Sequence, residues 1–151
     1  MYGIRLNTRI LFISALFFVF ISSCKKEPTP SNTPAITFVS ISPSTAVEYV
    51  NAITITFSYD DQDGDLGQND PNVSNLFITD SRNSVTYNYR ISQLAPDNAN
   101  IHIKGNLNAV IKNTAITNGT TSQSVSYSLY VKDRAGNVSN TITTSAITVT
   151  Q

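Results

Sequence analysis

The sequence has few of the residues on which enzyme chemistry usually depends. It contains one Cys, one His and no Trp. A single Cys excludes an intramolecular disulfide, and the sequence shows neither a catalytic Cys/His pair nor a zinc-ligand spacing. No G-x-S-x-G motif and no phosphate-cradling glycine loop is present. The only His, His102, lies in a strand-like segment and suggests no role. We therefore expect a protein that is not an enzyme.

Charge is also scarce, and one early stretch has none. Lys, Arg, Asp and Glu make up 13% of the chain, and none of them lies between Arg9 and Lys25. Residues 10–21, ILFISALFFVFI, form an apolar run after Arg5 and Arg9. A basic start, a short apolar run and small residues after it are typical of a secretory signal. A membrane-spanning anchor is the weaker alternative, because spanning a bilayer takes about 20 residues.

The single Cys follows this apolar run directly. The sequence Ile-Ser-Ser-Cys ending at Cys24 resembles the lipobox of bacterial lipoproteins. The resemblance implies that residues 1–23 are removed, and that Cys24 then carries acyl chains such as palmitate at the new N-terminus. Two or more acyl chains hold a protein stably on a membrane, here a bacterial membrane and by expectation the outer one. The alternative is a free or buried Cys beside an ordinary signal cleavage site, although those sites prefer A-x-A.

Residues 24–34 are predicted to be a lipidated tether. Three prolines and small polar residues in KKEPTPSNTP, residues 25–34, favour an extended, solvated chain. Its Lys-Lys-Glu start partly resembles the charged surface-export signals of Bacteroidota lipoproteins. Those signals usually carry more acidic residues, so the periplasmic and the surface face of the membrane both stay open.

The remaining 35–151 region has the size of one domain. From Cys24 onward the chain has 8 basic and 10 acidic side chains, a balance of −2. This balance gives no indication of the clustered basic face expected of a nucleic-acid-binding protein. We expect a monomer with no nucleic-acid partner.

Hydrophobic residues after residue 34 alternate with polar ones, which predicts strands. The three clearest runs of alternating apolar residues are Ile53, Ile55, Phe57 and Tyr59; Val85, Tyr87, Tyr89 and Ile91; and Val125, Tyr127, Leu129 and Val131. Weaker strands are predicted at residues 36–41, 76–78, 101–103, 107–111 and 142–149. The first of these changes phase before Pro43, which indicates a bulge or an edge strand. With no helical stripe, seven or eight short strands predict an all-β, antiparallel β-sandwich.

The most informative stretch is the acidic loop, SYDDQDGDLGQNDPN at residues 58–72. Asp60, Asp61, Asp63 and Asp65 lie within six residues and repel one another, so a bound cation would stabilise the loop. Asp61, Asp63 and Asp65 are spaced i, i+2, i+4, and two glycines, Gly64 and Gly67, permit positive φ. Ca²⁺ is the natural guest, because it takes 6–8 hard oxygen ligands and is abundant outside cells.

This loop is not an EF-hand. Counted from Asp61, position 6 is Leu66 instead of Gly, and position 12 is Asn72 instead of Glu. The loop looks more like the Asp-rich loops of extracellular Ca²⁺-binding β-modules, for which affinities of ~10⁻⁴–10⁻³ M are expected. The alternative is a solvated turn whose Asp, Asn and Gly residues only set the backbone geometry.

A second motif, YVKDRAGN at residues 130–137, has the composition of a tight hairpin, with Gly136 and Asn137 suited to left-handed backbone. It resembles the closing hairpin of bacterial immunoglobulin-like modules. Together with DQDGDLG it resembles an uncharacterised group of Bacteroidota lipoproteins. The resemblance implies an immunoglobulin-like sandwich, in which the second–third and penultimate–last connections share one end. Asp133 would then be a fifth candidate cation ligand, or else it caps the turn.

These observations predict a lipid-anchored, non-catalytic structural, adhesive or accessory binding module with an unidentified protein or glycan partner. A glycan-binding lipoprotein is the first alternative. Tyr87 and Tyr89 share a sheet face, although such pairs more often pack on the sheet. A hydrolase is the second alternative, but the carboxylates lie in one loop and do not face each other across a cleft.

Overall fold

A computed structural model describes residues 31–151. The predicted signal peptide at residues 1–23, the predicted lipidation site Cys24 and most of the predicted tether therefore lie outside the described residues. The described part contains ten strands and no helix. The strands are β1 Ala35–Ser42, β2 Thr45–Val47, β3 Ile53–Asp61, β4 Leu76–Asp80, β5 Thr86–Tyr89, β6 Ile103–Ile111, β7 Ser122–Val125, β8 Tyr127–Val131, β9 Ile142–Thr143 and β10 Ile147–Thr150. No helix long and apolar enough to cross a membrane is present among residues 31–151.

The strands form three small sheets around one apolar core. Their orders are β1-β3-β6, β5-β4-β8-β9 and β2-β10-β7, and every pair is antiparallel except β2 with β10. The core is built from the alternate residues of β3, β4 and β8, together with residues from the neighbouring strands. The predicted all-β sandwich is confirmed.

The first strand contains the predicted irregularity. The pairing of β1 with β3 shifts register between Phe38 and Ser40, which leaves Val39 as a bulge with its side chain 49% exposed. The extra residue restores the inward direction of Ile41, which packs against the core as Ile36 and Phe38 do. Because β1 pairs only with β3 in its sheet, it is also an edge strand.

Two predicted strands, at residues 101–103 and 107–111, belong to one strand, β6, which begins at Ile103. Between them, Gly105 continues the strand and lies opposite Tyr59 in the register. A Cβ at Gly105 would approach the Tyr59 hydroxyl to 3.0 Å, so the missing side chain makes room for the ring.

The run at residues 125–131 is not one strand but two, and this accounts for part of the difference between the expected and observed strand numbers. The first part, β7, pairs with β10, whereas β8 pairs with β4 and β9. At the junction, the backbone of Ser126 bonds to Ser81 instead of continuing a ladder. The predicted strand at residues 142–149 divides in the same way into β9 and β10, because it follows the same change of sheet.

This topology places the two motifs at one end of the sandwich. The acidic loop connects β3 to β4, and the KDRAGN turn connects β8 to β9. Since Leu76 at the start of β4 pairs with Val131 at the end of β8, both connections leave the sheets at the same end. The predicted proximity of the two motifs is confirmed.

Candidate metal centre

The last residue of β3, Asp61, is the most deeply buried acid of the acidic loop. Its side chain is fully buried, and its Oδ2 accepts a hydrogen bond of 2.8 Å from the backbone N–H of Leu66. Its Oδ1 is buried and has no hydrogen-bond partner. An ionised oxygen without a partner inside a protein carries a large desolvation cost. Asp61 therefore needs either a proton or a cation.

Two further carboxylates converge on Asp61. One oxygen from each of Asp61, Asp63 and Asp65 lies within 4.8 Å of the others. Asp63 Oδ1 and Asp65 Oδ1 are buried and lack hydrogen-bond partners, like Asp61 Oδ1. Ligand oxygens 2.3–2.6 Å from a Ca²⁺ ion can be at most about 5 Å apart, so this spacing suits ligands of one cation. The three carboxylates can hold a metal ion.

Glycines give the loop the shape that brings these carboxylates together. Gly64 has φ +77° and Gly67 has φ +94°, as predicted for both positions. A Cβ at Gly64 would collide with the carbonyl oxygen of Ile101, and one at Gly67 would collide with that of Ser92. The loop therefore folds back against the 92–101 segment, and only Gly permits both the conformation and the contact.

The KDRAGN turn holds the acidic loop through the residues around Asp65. The backbone N–H of Arg134 donates to the Asp65 carbonyl at 3.2 Å, and the Ala135 N–H donates to Asp65 Oδ2 at 3.1 Å. The Arg134 guanidinium donates to the carbonyl oxygens of Gly64 and Gly67 at 3.3 and 3.0 Å. Arg134 thus stabilises the curved backbone of the acidic loop, and it makes no hydrogen bond to the three unpaired carboxylate oxygens.

The two other predicted ligands lie apart from the group of three. Asp60 points to the other side of β3, where its Oδ1 is 2.9 Å from His102 Nε2, and both side chains are 50% exposed. Successive residues of a strand face opposite sides, so Asp60 and Asp61 cannot serve one site from β3. The structure does not bring Asp60 together with the other acids.

Asp133 is buried close to the group but is engaged with its own turn. Its Oδ1 accepts from the backbone N–H of Asn137 at 2.7 Å, and its Oδ2 accepts from Asn137 Nδ2 at 2.9 Å. This is the capping arrangement that the sequence left open. Gly136 has positive φ as predicted, whereas Asn137 does not, so the prediction of left-handed backbone at Asn137 is wrong.

The crowding of these acids changes their proton affinity. Burial raises the pKa of Asp61 to about 6, and the close approach of Asp63 and the charges of Asp63 and Asp65 raise it further. Burial also raises the pKa of Asp65, and the neighbouring charges of Asp133 and Asp63 add to this effect. Both increases mean that the folded domain disfavours the negative charges it carries at neutral pH. A bound cation would remove this cost.

The carboxylate group opens toward a surface cleft of about 430 Å³. The cleft is lined by Asp63, Asp65, Asp97, Asn98, Asn100 and Arg134, among others. The Asp97 and Arg134 contributions were not evident from the sequence, because their contact with the acidic loop depends on long-range folding.

A search of protein-family models and a search of curated proteins each found no match.

The tyrosines considered for glycan stacking lie on β5. Tyr87 and Tyr89 are partly buried and pack against the core. A stacked aromatic pair is instead formed by Phe77 of β4 and Tyr130 of β8, with ring centroids 4.9 Å apart. These two residues are direct neighbours in the strand register, which could not be known without the pairing of the strands.

Proposed function

We propose that this protein is a lipid-anchored lipoprotein of the bacterial outer membrane, and that its sandwich is a non-catalytic structural, adhesive or accessory binding module with a Ca²⁺ site. The single observation that supports the cation most strongly is the convergence of three buried, unpaired carboxylate oxygens. In a solvated turn, water would donate hydrogen bonds to these oxygens, and their charges would carry no desolvation cost.

Calcium is favoured over other ions by the ligands available. Asp61, Asp63 and Asp65 offer only hard oxygen atoms, and the loop includes no His or Cys that would favour zinc or copper. A Ca²⁺ site with three carboxylates and few other charged ligands is expected to bind weakly, as extracellular sites do. Such a site is filled at ~10⁻⁴–10⁻³ M Ca²⁺. In this proposal the ion stiffens the end of the sandwich by coordinating all three acids.

Calcium should raise the thermal stability of the protein. At a Ca²⁺ concentration about 100 times Kd, binding to the folded state alone adds about 2.7 kcal/mol to the free energy of unfolding. We expect a higher melting temperature in Ca²⁺ than in EDTA, measured by circular dichroism or scanning calorimetry. Mg²⁺ serves as the control ion and should have a smaller effect, because it demands a stricter octahedral geometry. Equal midpoints in Ca²⁺ and EDTA would remove the cation from the proposal.

The anchor is tested separately in cells. Cys24→Ala removes the only thiol, which is the proposed site of acylation. The variant should no longer incorporate labelled palmitate and should be released from the membrane fraction. Since the described domain begins beyond this position, the variant should keep the unfolding behaviour of the domain. A Ser23→Ala variant is the matched control and should still be labelled. Persistent labelling of Cys24→Ala would contradict the lipobox interpretation.

A further inference from the structure

We infer that the end of the sandwich with the Asp61, Asp63 and Asp65 group faces the membrane, and that the cation there binds the phosphate groups of anionic lipids. The inference rests on the proposed function, because it uses both the anchor at Cys24 and the cation. It adds a partner of defined chemistry, an anionic lipid surface, and an orientation for the domain.

The first support is the point at which the tether joins the domain. The backbone N–H of Ser31 donates to Gln62 Oε1 at 2.8 Å, and Asn137 Nδ2 donates to the Asn32 carbonyl at 2.8 Å. Gln62 lies between Asp61 and Asp63, and Asn137 belongs to the KDRAGN turn. The chain that leads to Cys24 therefore leaves the domain beside the carboxylate group.

The second support is the short reach of that chain. Six residues lie between Cys24 and Ser31, so seven steps along the chain join them. A fully extended chain covers at most about 3.6 Å per step, or about 25 Å in total. The nine residues of β3 alone are about 30 Å long at ~3.3 Å per residue. A tether fixed beside the carboxylates is too short to run along the domain. The opposite end, which exposes Tyr49 and Val50, must face away from the membrane.

The third support is the chemistry left open at the cation. With one oxygen from each of the three carboxylates, at least three of the 6–8 positions around Ca²⁺ remain for other oxygens. The cleft that Asp63 and Asp65 line gives access to these positions from outside. Phosphate oxygens are hard, anionic ligands of the kind that Ca²⁺ prefers. Without the ion the cleft is acidic and repels an anionic surface, so attachment depends on the ion.

Apolar side chains at the same end suit the headgroup region of a bilayer. Ile101 is 48% exposed and adjoins Gly64, and Val138 is 51% exposed and follows Asn137. Each could enter the interface once the cation has drawn the surface close.

The test uses the chain from residue 24 onward with Cys24→Ser, so that no acyl chain contributes. Sedimentation with vesicles of phosphatidylcholine and phosphatidylglycerol is measured in Ca²⁺ and in EDTA. We expect about thirtyfold stronger binding in Ca²⁺, from two added unit charges near an anionic surface. Asp63→Asn should abolish the increase, whereas the matched control Asp60→Asn, which lies outside the group, should retain it.

Calorimetric Ca²⁺ titration of the same samples separates the possible failures. If Ca²⁺ binds but vesicles do not retain the protein, the lipid partner is wrong and the proposed cation site stands. If Ca²⁺ does not bind, both are wrong. Equal retention on pure phosphatidylcholine would contradict the role of anionic lipid.

Orientation is tested with a lipid coupled to the unique Cys24 through a maleimide, which makes the result independent of acylation in cells. In Ca²⁺, hydrogen exchange should be slowed at residues 97–101 and 134–138 on vesicles, and unchanged at residues 48–50. Protection at residues 48–50 instead would overturn the proposed orientation.

Discussion

Replacing Arg82 by Ala is expected to lower the free energy of unfolding by about 3–5 kcal/mol, because it leaves a buried carboxylate unpaired. Asp80 at the end of β4 is fully buried, and the Arg82 side chain is 5% exposed. Arg82 Nη2 lies 2.7 Å from Asp80 Oδ2, and Nε lies 3.0 Å from Oδ1. The guanidinium also donates to the carbonyl oxygen of Ala115 at 2.7 Å. The hydrogen bond to Asp80 raises the pKa of Arg82, which keeps the guanidinium charged.

Urea denaturation should show this loss as a lower midpoint with an unchanged slope. Arg90→Ala is the matched control: its guanidinium is exposed and donates to the Gln68 carbonyl, so the change should stay within about 0.5 kcal/mol. A double variant, Asp80→Asn with Arg82→Met, removes both charges and should be more stable than Arg82→Ala alone. If Arg82→Ala and Arg90→Ala cost the same, the buried pair does not have the assigned role.

Asp61→Asn is expected to stabilise the protein in EDTA and to lose most of the stabilisation that Ca²⁺ gives the wild type. Without an ion at neutral pH, the shift of the Asp61 pKa from 3.8 to about 6 corresponds to a cost of about 3 kcal/mol for the buried charge. Asn removes this charge and can still accept the hydrogen bond from Leu66. In Ca²⁺ at about 100 times Kd the wild type gains about 2.7 kcal/mol, most of which Asp61→Asn lacks, so the stability advantage of Asp61→Asn should nearly disappear.

The pH dependence of the same pair of proteins gives an independent control. The pKa of Asp61 is higher in the folded state than in the unfolded chain, so the folded state binds more protons between about pH 4 and pH 6. In EDTA the stability of the wild type should therefore fall, relative to Asp61→Asn, as the pH rises through this window. Above it the difference should stay constant. Asp60→Asn, at a half-exposed position, should follow the wild type in every buffer. A destabilised Asp61→Asn in EDTA would contradict the assigned cost.

The strands and the core could be predicted because apolar side chains alternate with polar ones. Ile53, Ile55 and Phe57 are all fully buried, as the alternation alone predicts. The partition of residues 122–131 between two sheets could not be predicted in this way. Val125 and Tyr127 keep the same alternation across the break, and only the partners of the backbone at Ser126 change.

Part of the candidate site could also be predicted from the spacing of residues along the chain. The i, i+2, i+4 spacing of Asp61, Asp63 and Asp65 brings the three carboxylates together. Asp60 belongs to the same crowded run of acids in the sequence, but a strand directs neighbouring residues to opposite faces, so the prediction of Asp60 as a ligand is not supported. The roles of Arg134 and of the Asp80–Arg82 pair depend on contacts between distant segments, which leave no local pattern. The sequence shows these residues only as charges in turns.

Calcium binding measured by isothermal titration calorimetry on the chain from residue 24 onward tests the central claim most directly. The account predicts one ion per chain with Kd ~10⁻⁴–10⁻³ M. Asp60→Asn should bind as the wild type does, and Asp63→Asn should lose at least tenfold in affinity, about 1.4 kcal/mol. Absence of saturable binding by the wild type, or equal binding by both variants, would show that the three oxygens do not share an ion.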